Sequence, residues 1–157
     1  MKALSLLVLA PLLAGCALLG PAVGREGVSA PPAVFTQAQA TTEGRRVAVT
    51  LEMRNEGVRP TVLRYAAQVN WGTCGPPPYV AVGHEDGSSV TAPPAGGRLA
   101  CSEVQLTRTL APGERLTLRR TLPPLSAGTY RLNVWFDGEV DGTPARLTAP
   151  TVTVAVR

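Results

Sequence analysis

Two-residue alternation constrains this chain more than any other feature. In Arg46–Arg54 (RVAVTLEMR), Val47, Val49, Leu51 and Met53 fall on one side, and Ala48, Thr50, Glu52 and Arg54 on the other. In Tyr130–Phe136 (YRLNVWF), Tyr130, Leu132, Val134 and Phe136 share a side, with Trp135 opposite. A strand turns successive side chains to opposite faces, so such segments bury one face and solvate the other. The same reading predicts strands over Thr61–Trp71, with Leu63, Tyr65, Ala67, Val69 and Trp71 on one face, and over Tyr79–Val82, Val104–Leu110, Arg115–Leu122 and Arg146–Val156. Asn55-Glu56-Gly57, Gly75-Pro76-Pro77-Pro78 and Ala111-Pro112-Gly113-Glu114 supply turns between them. No long 3.6-residue pattern and no internal repeat is present. The prediction is an all-β antiparallel β-sandwich of about seven to nine strands over residues 33–157.

Leu125-Ser126-Ala127-Gly128-Thr129-Tyr130 refines this. It is similar to the tyrosine corner of immunoglobulin-like sandwiches, where a Tyr near the start of a strand bonds to upstream backbone. An antibody-type domain carries Cys two residues beyond that Tyr, and here Leu132 stands there. The predicted fold is therefore immunoglobulin-like without the core-bridging disulfide of antibody domains.

The N-terminus predicts an address. Met1-Lys2 is followed by an uncharged, apolar run from Ala3 to Gly15, which has the form of a secretory signal. Leu13-Ala14-Gly15-Cys16 resembles a bacterial lipobox. The resemblance implies cleavage of residues 1–15 and a diacylglyceryl thioether on Cys16, which becomes the acylated, palmitate-bearing N-terminus. Each buried CH₂ contributes roughly 0.8 kcal/mol, so two or more chains hold stably where one does not. A plain secretory signal and an uncleaved anchor are the competing readings. The uncharged run continues to Val23, long enough for a span, but Pro11, Gly15, Gly20 and Pro21 interrupt it as a helix. All three readings put the domain on the extracytoplasmic side of a cell membrane or outer membrane, and Ala17 in place of Asp leans towards the outer one. Residues 16–32, rich in Gly, Pro and Ala, read as a lipidated flexible tether.

With Cys16 lipidated, Cys74 and Cys101 remain as a pair, and an exported chain can oxidise them. A zinc site or a Cys–His84 nucleophile pair are the alternatives, and the chain has few further ligands for either. The formal net charge is +4, but the basic residues are scattered, so no nucleic-acid partner is expected. No GxSxG elbow accompanies His84, Ser88 and Ser89, and no enzyme activity is expected. Asp137-Gly138-Glu139-Val140-Asp141-Gly142 offers alternate carboxylates to Ca²⁺, or else an Asp-Gly hairpin. We expect the hairpin, and neither a metal nor another cofactor. The candidate partner-binding residues are Trp71, Pro76, Pro77, Pro78 and Tyr79 on the Pro-rich loop, and Trp135, which faces away from the core row.

Val49–Gly57 (VTLEMRNEG), Val62–Tyr65 (VLRY), Tyr79–Val90 (YVAVGHEDGSSV), Leu110–Leu118 (LAPGERLTL) and Leu125–Phe136 (LSAGTYRLNVWF) together resemble the BsuPI-type intracellular proteinase inhibitor family. The resemblance spans roughly Val34 to Phe136. It implies an immunoglobulin-like fold and binding of a protease. Joined to the lipobox, it leads to the expectation of a lipid-anchored binding module for a protein partner in the bacterial envelope. An assembly accessory without inhibitory activity is the second expectation, and a small-molecule or polysaccharide binder the third.

Overall fold

The computed structural model describes residues 33–94 and 101–157. The signal segment, Cys16 and the whole of the tether lie outside the described residues. The strands are β1 (Val34–Glu43), β2 (Arg46–Asn55), β3 (Thr61–Ala66), β4 (Gln68–Asn70), β5 (Thr73–Gly75), β6 (Tyr79–His84), β7 (Gln105–Leu110), β8 (Arg115–Leu122), β9 (Gly128–Val140), β10 (Thr143–Thr148) and β11 (Val152–Val156). All pairings are antiparallel.

One sheet has the order β1-β2-β8 and the other β10-β9-β3-β7, with β11 and β6 also pairing β9 and β4-β5 forming a separate ribbon. The two main sheets make the predicted β-sandwich. Its core comes from the rows that alternate in the sequence. Val47, Val49, Leu51 and Met53 of β2 are fully buried, as are Leu132, Val134 and Phe136 of β9. Tyr65 of β3 meets Phe136 edge to face, with ring centroids 5.5 Å apart. The tyrosine corner forms as expected: Tyr130 donates its hydroxyl proton to the Ser126 carbonyl at 2.9 Å.

Among the described residues, eleven strands exceed the expected number for local reasons. β1 escaped the sequence reading because its inward positions 38 and 40 carry only alanine. The predicted Thr61–Trp71 strand breaks at Ala67, and Val69, expected inside, is 46% exposed. The predicted Arg146–Val156 strand splits around Ala149-Pro150-Thr151, since proline gives no ladder donor. Val154 and Val156 are buried, while Val152 is half-buried.

Two contacts fix the end of the sandwich at which the described chain begins. Asn55 is fully buried, and its Nδ2 donates to the Arg59 carbonyl at 2.7 Å and the Leu110 carbonyl at 2.9 Å. Its Oδ1 accepts from Gly57 N–H at 2.9 Å, so one amide locks two turns together. Nearby, a Cβ at Gly138 would lie 2.3 Å from the Arg64 carbonyl oxygen, so β3 can approach β9 only over a glycine.

Candidate functional site

β3 and β6 lie end to end along β9. Leu63 and Arg64 face Val140 and Glu139, while Tyr79 to His84 face Trp135 to Tyr130. Residues 67–78 are therefore a detour out of a single strand line. The detour turns at Trp71 and Gly72, whose φ angles are +55° and +72°. Its returning end leaves the outer edge of β6 without a partner strand, and side chains and hairpin backbone cover that edge instead. Asn70 Nδ2 donates to the Val80 carbonyl at 3.1 Å and its Oδ1 accepts from Val80 N–H at 3.0 Å, so the amide imitates a strand rung. Trp71 Nε1 donates to the same carbonyl at 2.9 Å. Further along, Val90 N–H reaches the Val82 carbonyl at 2.9 Å, and His84 N–H the Ser88 carbonyl at 2.8 Å. An edge covered in this way cannot recruit a foreign strand.

Two braces hold the detour. The first is the disulfide between Cys74 and Cys101, whose Cα atoms are 5.4 Å apart. It joins β5 to the segment leading into β7 rather than the two sheets. The second is Arg120 of β8, a buried charge pointing inward opposite Val49. Its Nε donates to the Pro78 carbonyl at 2.7 Å, Nη1 to the Asn70 carbonyl at 3.0 Å, and Nη2 to the Pro76 carbonyl at 2.9 Å. Its guanidinium carbon also lies 5.7 Å from the Tyr79 ring centroid. Burial pulls the Arg120 pKa below the usual arginine value, while Tyr79 opposes that shift. No carboxylate pairs with Arg120 among the described residues; carbonyl dipoles hold its charge.

At the pole where β6 ends, the turn after His84 separates two hollows. One, of about 380 Å³, has an apolar lining that includes Trp71, Val90, Pro93, Pro123, Leu125 and Tyr130, with His84 at its rim. The other, of about 280 Å³, lies over Ala81, Gly83, Ser89, Arg131 and Asn133, again with His84 at the rim.

No protein-family model matches this chain. No curated protein matches it either. Among solved structures, it is similar to the structural-genomics target SoR45, at 12% identity over 79% of this chain and 87% of that one, with a TM-score of 0.49. It is also similar to the CARDB domain of the PF1109 protein from Pyrococcus furiosus, solved in complex with di-metal ions. That likeness is 18% in identity, covers 79% of this chain and 87% of that one, and has a TM-score of 0.38. The strand pairing described above, not these likenesses, carries the fold.

The residues singled out in the sequence have distinct fates. Trp71, Pro77, Pro78 and Tyr79 are buried and Pro76 is exposed, so the Pro-rich edge presents Pro76, while Tyr79 is covered on the outer face beside Trp135. Tyr79 donates its hydroxyl to the Ala66 carbonyl at 2.8 Å. Trp135 is half-buried on the outer face of β9, tilted against Tyr79 at 6.2 Å, with the Arg146 guanidinium 5.4 Å from its ring centroid. His84 sits 5.2 Å from the Tyr130 ring. The Ser88 hydroxyl turns to Asp86 at 2.6 Å, and Ser89 bridges Gly83, so the stretch forms a hairpin turn.

The Asp137–Gly142 stretch is mostly strand, closed by an Asp141-Gly142 turn with φ of +51° and +79°, as a two-residue hairpin requires. Its carboxylates face Arg146, Arg64 and the Val62 N–H. Among the described residues no three His, Cys, Asp or Glu side chains gather as a metal site.

Arg120 is the organising residue that the sequence reading passed over. The available signal was its phase: in RLTLRRTL it falls in the row of Leu116, Leu118 and Leu122. A charge in register with an apolar row calls for a buried partner.

Proposed function

We propose that this chain is a lipid-anchored, extracytoplasmic binding module that offers one pole of its sandwich to a protein partner in the bacterial envelope. Protease inhibition, which the BsuPI-type resemblance implies, is the sharpest form of the reading. The observation that supports it is the polarity of the domain. Ala33 accepts the Glu56 N–H at 2.8 Å, which puts the start of the described chain at the pole of Asn55 and Asp141. The His84 turn and both hollows lie at the other pole, beside Leu125, whose N–H donates to Arg45 at 2.8 Å. β1 runs between the poles, a rise of about 30 Å for a strand of its length. A tether ahead of Ala33 would thus enter the domain at the pole opposite the hollows.

The test combines address and contact. Wild-type chain should sediment with membranes and Cys16→Ser should not. Photo-cross-linkers at Pro76 and Ser126 should trap a partner that a cross-linker at Val58 does not. Equal sedimentation of both chains removes the anchor, and equal trapping from both poles removes the polarity. Residual activity of serine and cysteine proteases titrated with the protein then separates the two forms of the reading. Saturable, stoichiometric inhibition with the domain left intact supports an inhibitor. A trapped partner without inhibition supports an assembly accessory.

A further inference from the structure

We infer that the hollow over Ala81, Gly83, Ser89, Arg131 and Asn133 is a binding site for an oxyanion, the carboxylate or phosphate group of a ligand. Register creates the hollow. On the outer face of the sheet, Ala81 pairs with Asn133 and Gly83 with Arg131, so a methyl group and a hydrogen lie beside two long polar side chains. The result is a floor with polar walls and a volume of about 280 Å³, room for a charged group and several attached carbons.

The polar side chains around it offer donors. Asn133 Oδ1 is held by the Thr151 hydroxyl at 2.8 Å, which leaves its Nδ2 hydrogens for a ligand. Ser89 and His84 complete the lining, with the His84 ring itself turned to Tyr130 on the other face. Arg131 has no carboxylate within ion-pair reach among the described residues, where Arg64, Arg108, Arg115 and Arg146 each have one. No Asp or Glu lines the hollow. Asp86, on the adjoining turn, has Oδ1 occupied by the Ser88 N–H at 2.8 Å and its hydroxyl at 2.6 Å. A guanidinium beside an oriented amide suits a planar carboxylate or a phosphate, because both accept several charge-assisted hydrogen bonds at once. The site does not depend on where the chain is anchored or whether it inhibits a protease.

The test is an amide NMR titration of the full chain in neutral detergent, with sodium acetate and with inorganic phosphate at constant ionic strength. Saturable shifts confined to residues 81–89 and 131–133 are expected. Arg131→Gln should weaken binding by about tenfold or more. Ala81→Leu should abolish it by filling the hollow. Arg146→Gln, on the same face but paired with Asp137, should leave it unchanged. Tighter acetate binding makes a carboxylate the natural group, and tighter phosphate binding a phosphoryl group. Shifts that grow linearly, that spread over every arginine, or that survive both Arg131→Gln and Ala81→Leu overturn the site. The amide pattern of each variant reports directly whether it is folded.

Discussion

Arg120 on β8 donates its Nε proton to the carbonyl of Pro78, 2.7 Å away, from a position whose strand neighbours Leu118 and Leu122 are core residues. A charge therefore occupies a core register and is held by three carbonyls of the 67–78 detour. The arrangement couples the β1-β2-β8 sheet to a loop of the other sheet. A buried charge of this kind stabilises only while its whole set of partners is present.

Replacing Arg120 with Met should therefore cost more than the loss of one hydrogen bond. It strands the carbonyls of Asn70, Pro76 and Pro78 near a non-polar tip. We expect a loss of about 3 kcal/mol in chemical denaturation, with hydrogen exchange accelerated first at residues 68–80. Arg120→Lys should recover only part of it, because an ammonium cannot span the planar fork. An Arg120→Met protein as stable as wild type would show that the carbonyls find other partners at no cost.

The disulfide acts on the same detour from its exposed side. Closing a loop of separation 27 restricts the unfolded chain, a stabilisation of about 3–4 kcal/mol in the chain-entropy model. Reduction, or Cys74→Ser with Cys101→Ser, should lower the denaturation midpoint accordingly. Arg120 still grips residues 70–78 after reduction, so faster exchange should begin in residues 89–94 and 101–104 rather than in β6. Unaltered stability on reduction would leave the crosslink without energetic weight.

The parts legible in the sequence are those where packing obeys a local rule. β2 and β9 follow strict alternation and are buried as read. Ser126–Tyr130 and Asp141-Gly142 carry turn chemistry that needs no distant partner. The detour is different. Ala67, Val69 and Trp71 sustain the alternation of β3, yet the chain leaves the sheet at Ala67, because β6, much later in sequence, takes the remaining length of β9. Alternation within one strand carries no information about that competition. The donor hollow is equally illegible, since Ala81 and Gly83 meet Arg131 and Asn133 only through pairing register.

Asn55 should be as sensitive as a core hydrophobe. Asn55→Ala leaves the carbonyls of Arg59 and Leu110 and the N–H of Gly57 without their partner. A loss of about 3 kcal/mol is expected from thermal or urea unfolding. Asn55→Asp should also destabilise, because a carboxylate cannot donate to the two carbonyls. Equal stability of Asn55→Asp and wild type would contradict the assigned donor pattern.

Alkaline pH should unfold the domain through its buried phenols. Burial raises the Tyr65 pKa above the model-peptide value of 10.0, against a smaller opposing effect of Arg108. Burial likewise raises that of Tyr79, with Arg120 opposing and Asp137 adding to the rise. The unfolded chain then loses these protons at lower pH than the folded one. Their contribution to stability is fully present below about pH 10 and is lost as the pH climbs through the folded-state values. Melting temperature followed alongside phenolate absorbance should fall with rising pH in that range, with ionisation lagging behind that of a free tyrosine. Tyr65→Phe and Tyr79→Phe should each flatten the fall, Tyr79→Phe at the added cost of its bond to Ala66. Ionisation of Tyr65 and Tyr79 at the free-tyrosine pH, with no loss of melting temperature, would show that neither phenol is held in its neutral form by the fold.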